Sequence, residues 1–124
     1  MPDIQVFGLD NDPVTRAAQR FFRERRIVVS FVDLRKRRIA PAELRRFVDR
    51  LGARALLDET SRAYRDAGLA YLSMGDDAIV ERLLGDAHLL RLPLVRYDTE
   101  VTAGRAETTW TEWVRSSVSA NARR

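Results

Sequence analysis

One stretch decides the predicted fold: Phe7-Gly8-Leu9-Asp10-Asn11-Asp12-Pro13-Val14-Thr15-Arg16. An alternating apolar run from Ile4 to Phe7 leads into it and predicts a β-strand. A helical apolar pattern leaves it, and Asp12-Pro13 is a strong helix start. An aspartate side chain accepts from backbone N–H groups there, and proline at the first helical position loses no needed donor. The stretch therefore predicts a strand, a short loop and a helix whose N-terminal donors point out of the loop.

Composition limits the classes of protein to which the chain can belong. Its 124 residues indicate a single domain, and a hydrophobic content of 45% is enough for one core. The chain has no cysteine and a single histidine, His88. Disulfides and thiolate chemistry are therefore excluded, and we expect neither a metal site nor a cofactor. No apolar run reaches transmembrane length and no signal peptide is recognisable, so we expect a cytoplasmic protein that does not bind membranes.

Positive charge is concentrated in the first half of the chain. Residues 16–54 contain 13 basic and 4 acidic residues, a balance of +9, whereas the whole chain carries +4. The other residues therefore sum to −5. Such a basic segment attracts acidic proteins, nucleic acid or anionic lipid, or else it is simply a solvated surface.

Three groups of basic residues are candidates for partner binding. They lie on the polar side of the first helix, in the loop after the second strand and on the polar side of the next helix: Arg16, Arg20 and Arg23; Arg35, Lys36, Arg37 and Arg38; Arg45, Arg46 and Arg50. We expect an acidic protein partner rather than nucleic acid, because the aromatic residues of this segment fall on core stripes instead of alternating with the cations. The oligomeric state is left open.

Along the chain, the pattern predicts the order β-α-β, a helical insertion, then β-β-α. Strands near 4–9 and 28–33 form a parallel pair with a helix between them, and a hairpin is expected near 94–103. The insertion covers about 40–85, one domain covers 4–115, and a flexible tail covers 116–124. Together these features predict an α/β protein with a four-stranded mixed sheet. The expected core residues are Val6, Ala17, Phe21, Phe31, Phe47, Leu83, Val95 and Trp110.

Three landmarks in this order resemble the ArsC family, which comprises arsenate reductases and their relatives. They are the opening loop, the run Leu89-Leu90-Arg91-Leu92-Pro93-Leu94, and Gly104 followed by Trp110. The resemblance covers roughly residues 4–115. It implies a thioredoxin-like fold of the glutaredoxin type, and a cis peptide bond before Pro93.

The resemblance also locates the family's active site, at Asp12, Asn11, Thr15, Arg91 and Pro93. The family's nucleophilic cysteine corresponds to Asp12, so the catalytic group is missing. The family arginine before the proline corresponds to Leu92, and Arg91 stands one residue earlier. We interpret Asp12 as a helix cap; the alternative is a fixed negative charge that imitates the family's thiolate.

These departures favour a protein without redox chemistry and, we expect, without a catalytic site. The preferred function is a non-redox binding or regulatory module. The resemblance implies such a role because the family includes Spx-like regulators that bind RNA polymerase. One alternative is an arsenate reductase linked to glutathione and glutaredoxin, which the absent cysteine opposes. Another is a structural or assembly protein that uses an inherited scaffold.

Overall fold

The computed structural model describes residues 4–122, and side chains as far as residue 116. The strands are β1 (Ile4–Gly8), β2 (Val29–Asp33), β3 (Leu94–Tyr97) and β4 (Glu100–Ala103). The α-helices are α1 (Pro13–Glu24), α2 (Pro41–Leu51), α3 (Arg62–Asp66), α4 (Asp76–Gly85) and α5 (Glu107–Ala122). Short 3₁₀ turns occupy Arg54–Leu56, Leu69–Tyr71 and Ala87–Leu89.

The four strands form one mixed sheet in the order β2-β1-β3-β4. Strands β1 and β2 are parallel, with Val6 opposite Phe31, and β3 is antiparallel to both β1 and β4. The parallel pair, the hairpin and the helical insertion confirm the predicted thioredoxin-like fold class. The second strand begins one residue later than predicted, because Val28 is 74% exposed and lies outside the pairing.

The sheet carries a separate hydrophobic cluster on each face. Successive residues of a strand point to opposite faces. Val6 accordingly joins a cluster with α1 and α5, whereas Phe7 joins one with α2 and the helical insertion. Helices α1 and α2 therefore lie on opposite faces of the sheet, and this determines where their polar sides can be.

The predicted core is correct at six of its eight positions. Ala17 is only half-buried, because its neighbour Ala18 is the residue of α1 that faces the sheet. Phe31 is also half-buried, since β2 is an outer strand with one neighbour instead of two.

The last helix extends further than the sequence indicated. Helix α5 is continuous to Ala122, where a tail was predicted from residue 116, and residues 123 and 124 of that tail lie outside the described residues. The stretch from Glu107 to Ala122 contains no glycine or proline that would end a helix.

Candidate functional site

Asp12 lies at the start of α1 and is the helix N-cap. Its Oδ2 accepts hydrogen bonds from both the backbone N–H and the hydroxyl of Thr15, at 2.8 Å each. The Asp12 N–H donates to the Leu9 carbonyl, which closes the loop. The interpretation of Asp12 as a helix cap is therefore confirmed, and one of its carboxylate oxygens is already occupied by the protein itself.

Thr15 is fully buried beneath this loop and packs against the end of β1. A Cβ placed on Gly8 would lie 2.5 Å from both Cγ2 and Oγ1 of Thr15, so only glycine leaves room for the threonine. The predicted site residues Asp12 and Thr15 are thus brought together as a structural pair. Asn11 is exposed in the turn beside them.

The loop before β3 forms the other side of the site. The Leu92–Pro93 peptide bond is cis, as the resemblance implied, and Pro93 is buried. The N–H of Gly104 donates to the carbonyls of Arg91 and Pro93, at 3.0 Å each. Gly104 has a φ of +75°, and a Cβ there would lie 3.0 Å from Cγ of Arg91. The Arg91 side chain therefore lies across Gly104.

An open depression of about 350 Å³ lies beside this loop. Its walls come from the start of α1, the turn before α3, the loop before β3, and the end of β4 with the two residues that follow: Val14, Asp58, Thr60, Arg91, Leu92, Ala103, Gly104 and Arg105. Of the predicted site residues only Arg91 lines it. Sequence reasoning missed Arg105, although this residue directly follows the landmark Gly104.

Three charged side chains line the depression, namely Asp58, Arg91 and Arg105. Arg105 donates to Glu107 at 3.1 Å, and the Asp58 carboxylate accepts from the N–H and hydroxyl of Thr60 at 3.0 and 2.6 Å. The Arg105 guanidinium is thus paired with a carboxylate, whereas Arg91 makes no ion pair within the described residues. The residues that line the depression include no thiol, and Leu92, in the position before Pro93, provides no guanidinium there to hold an oxyanion.

The predicted basic residues do not form one flat surface. Those of α1 and those of α2 project from opposite faces of the sheet, because the two helices pack on opposite faces. The loop after β2 lies between them at the edge of the sheet, and its four side chains are exposed: Arg35, Lys36, Arg37 and Arg38. This loop is therefore the part of the basic segment that is accessible from either face.

Arg37 differs from the other cations of the loop. Its guanidinium makes two hydrogen bonds of 2.9 Å to Glu43, and Glu43 also accepts from the backbone N–H of Ala40 at the start of α2. The hydrogen bond from Arg37 lowers the pKa of the Glu43 carboxyl, and the pKa of Arg37 is raised in return. Arg37 thus fixes the loop to α2, and its guanidinium is already engaged within the protein.

The described residues contain neither a metal-binding cluster nor a membrane-spanning helix. Within the described part of the chain, no three side chains of the histidine, cysteine, aspartate or glutamate type gather where they could hold a metal ion. Over the same residues, no helix has the length and apolar character needed to span a membrane.

Solved structures with similar folds are known. An arsenate reductase from Vibrio cholerae aligns with a TM-score of 0.78 and 18% identity, over 90% of this chain and 97% of that one. A protein described as related to the ArsC family from Bacteroides fragilis gives 0.80 and 15%, over 89% and 96%. At these identities the likeness shows the fold alone. No curated protein matches the chain significantly.

The sequence itself provides the family assignment. The ArsC family profile matches residues 11–113, which is most of the chain and includes the loop of Asp12, the cis proline and the segment from Gly104 to Trp110. The chain belongs to the ArsC family.

Proposed function

We propose that this ArsC-family protein is a non-redox binding module that holds an acidic segment of another protein. The observation that carries the proposal is the Asp12–Thr15 pair, which occupies the site of the family's nucleophile with a structural cap. No residue of the chain supplies a thiol, since the sequence has no cysteine. A carboxylate cannot form the mixed disulfide on which thiol-based reduction depends.

The loop after β2 is the proposed contact surface. Arg35, Lys36 and Arg38 are exposed, and none of their side chains makes an ion pair within the described residues. Three neighbouring cations that no internal acid neutralises attract an acidic partner and lose that attraction as salt increases. Arg16, Arg20 and Arg45, on the adjoining helices, extend the same charge to both faces.

The surroundings of the loop favour protein over nucleic acid. Proteins that bind single strands combine cations with aromatic rings on which bases stack. The aromatic residues of the basic segment are instead buried or half-buried: Phe21, Phe22, Phe31 and Phe47. We also propose that the protein has a regulatory role like that of the Spx-like regulators and that it is located in the cytoplasm.

Binding of a defined acidic peptide tests the proposal. A labelled peptide of alternating glutamate and serine is titrated with the protein, next to the same peptide with lysine for glutamate and a DNA duplex. We expect the acidic peptide to bind most tightly, and to lose at least about ten-fold in affinity when salt is raised from about 50 to about 500 mM.

A matched pair of variants locates the contact. Reversing Arg35, Lys36 and Arg38 to glutamate should weaken binding by about ten-fold, whereas reversing Arg65, Arg82 and Arg115, exposed cations elsewhere, should change it by less than about two-fold. Equal losses in both triple variants would mean that only net charge matters and would refute the loop as the site. Tighter binding of DNA than of the acidic peptide would refute the choice of partner.

A further inference from the structure

The outer side of β2 is an unpaired sheet edge among the described residues. Strand order places β2 at one end of the sheet, with β1 as its neighbour. The N–H of Leu34 donates to the Gly8 carbonyl at 2.8 Å, which fixes the phase of the parallel ladder. Residues alternate along a strand, so the backbone groups of Ser30 and Val32 point towards β1. Those of Val29 and Phe31 therefore point outward.

This edge lacks the features with which proteins usually protect an outer strand. Such strands carry lysine, proline or a bulge that prevents another chain from pairing with them. Strand β2 reads Val29-Ser30-Phe31-Val32-Asp33, without lysine, proline or a bulge, and the preceding Val28 is 74% exposed. Its one charged residue is Asp33 at the last position, whose carboxylate accepts from the N–H of Arg35 at 3.0 Å. The edge therefore presents hydrogen-bonding groups to an extended segment.

Cations stand at both ends of the edge instead of along it. Arg25 and Arg26 precede the strand, and the exposed cations of the loop, with Arg35 the first, follow it. The guanidinium of Arg25 lies over the Phe21 ring, with Cζ 3.6 Å from its centroid, so this end is held in place. A five-residue strand spans about 17 Å, which sets the spacing of the two positive groups.

We propose that the acidic partner binds by adding a strand to the outer edge of β2. The inference rests on the proposed function and specifies its mode: an extended segment of about five residues, small or β-branched in the middle and acidic at both ends. Backbone hydrogen bonds to Val29 and Phe31 supply affinity, and the two groups of cations select the acidic ends.

Charge also decides against a second copy of this chain as the occupant. If two β2 edges paired antiparallel, Arg25 and Arg26 of one copy would lie beside Arg35 and its neighbours in the other. Like charges brought together in this way oppose association. An acidic segment of another protein meets the same positions with attraction.

The test uses three peptides of one length. The probe is the capped peptide EETVTVEE. The first control has the same sequence with its four central amide nitrogens methylated, which removes backbone donors and keeps the charge. The second is KKTVTVKK, which keeps the donors and reverses the charge. Binding to the full chain is followed by NMR titration, and hydrogen exchange of the Val29, Ser30 and Phe31 amides is measured in the complex.

We expect the probe to bind about ten-fold more tightly than either control. Exchange at Val29 and Phe31 should slow in the complex, while Ser30, already directed at β1, should be unaffected. If the methylated peptide binds within about two-fold of the probe, or the probe fails to bind at about 1 mM, strand addition is wrong. If the acidic and the basic peptides bind equally, the preference for an acidic partner fails as well.

Discussion

Thr15 donates both its backbone N–H and its hydroxyl to a single carboxylate oxygen of Asp12, at 2.8 Å each. This relationship makes Asp12 a helix cap, at the position where the resemblance to the family predicts a nucleophile. The hydroxyl is buried and the carboxylate is half-buried, so each satisfies the other away from bulk water. The loop before α1 is therefore held by interactions that serve stability.

Replacing the cap should destabilise the protein measurably. We expect Asp12→Ala to lower the free energy of unfolding by about 2 kcal/mol, because it removes the cap and leaves the buried Thr15 hydroxyl without its acceptor. Asp12→Asn should lose less than half of that, since its amide oxygen can still accept. Urea denaturation measures both values.

A double-mutant cycle shows whether the two residues act as a pair. In a Thr15→Val background the hydroxyl is gone, so Asp12→Ala should cost at least about 0.5 kcal/mol less than in the wild type. Strictly additive losses would mean that Asp12 and Thr15 stabilise the loop independently, contrary to the geometry.

Any side chain at Gly8 should destabilise the protein, because it would collide with the side chain of Thr15. Gly8→Ala places a Cβ 2.5 Å from two atoms of the threonine, and we expect a loss of about 2–3 kcal/mol in the free energy of unfolding. Thr15→Ala removes both atoms, so Gly8→Ala should be milder in that background. A similar loss in both backgrounds would show that the conflict lies elsewhere.

The Arg37–Glu43 pair predicts how stability depends on acid. The hydrogen bond from Arg37 lowers the pKa of Glu43 in the folded state, so the charged form contributes stability above the unfolded pKa. That contribution disappears as the pH falls through the lower, folded value. Glu43→Gln keeps an acceptor for the Ala40 N–H and removes the charge. Its unfolding free energy should be about 0.5 kcal/mol lower at pH 7.

The same variant should also respond less to acid than the wild type. Between about pH 5 and pH 3 its unfolding free energy should fall less steeply, because one titrating group with a lowered folded pKa is missing. Thermal melts across this range give the comparison. Parallel curves would indicate that the ion pair contributes nothing to folding.

Features that depend on neighbouring residues were accessible from the sequence. The strand leading to Asp12-Pro13, the helix after it and the hairpin around Asp98 follow from alternation, capping and turn chemistry. The cis peptide before Pro93 followed from the resemblance. Local chemistry determines such elements wherever they lie in the fold.

Features that depend on tertiary position were not accessible. Ala17 and Ala18 are neighbouring residues of the same type, and only the packing of α1 decides which one faces the sheet. The Arg37–Glu43 pair joins residues on either side of a loop, and the conformation of that loop cannot be predicted from the sequence. The separation of the α1 and α2 cations, and the place of Arg105 beside Arg91, likewise depend on which face each element covers.

Restoring a thiol should not restore reductase activity. Asp12→Cys supplies a nucleophile at the start of α1, where a thiolate is favoured. Leu92 still lacks a guanidinium beside Pro93, however, and the Arg105 guanidinium is paired with Glu107. We expect no arsenate-dependent turnover by this variant. Turnover comparable to that of a cysteine-containing arsenate reductase would show that the remaining residues form a competent oxyanion site.

We predict that the wild-type chain performs no redox chemistry at this site. The direct measurement is arsenate reduction with glutathione and glutaredoxin present, followed by the NADPH that glutathione reductase consumes, with a cysteine-containing arsenate reductase as the positive control. We expect a rate equal to that of the mixture without the protein. Arsenate-dependent NADPH consumption above that background, in proportion to the protein added, would contradict it.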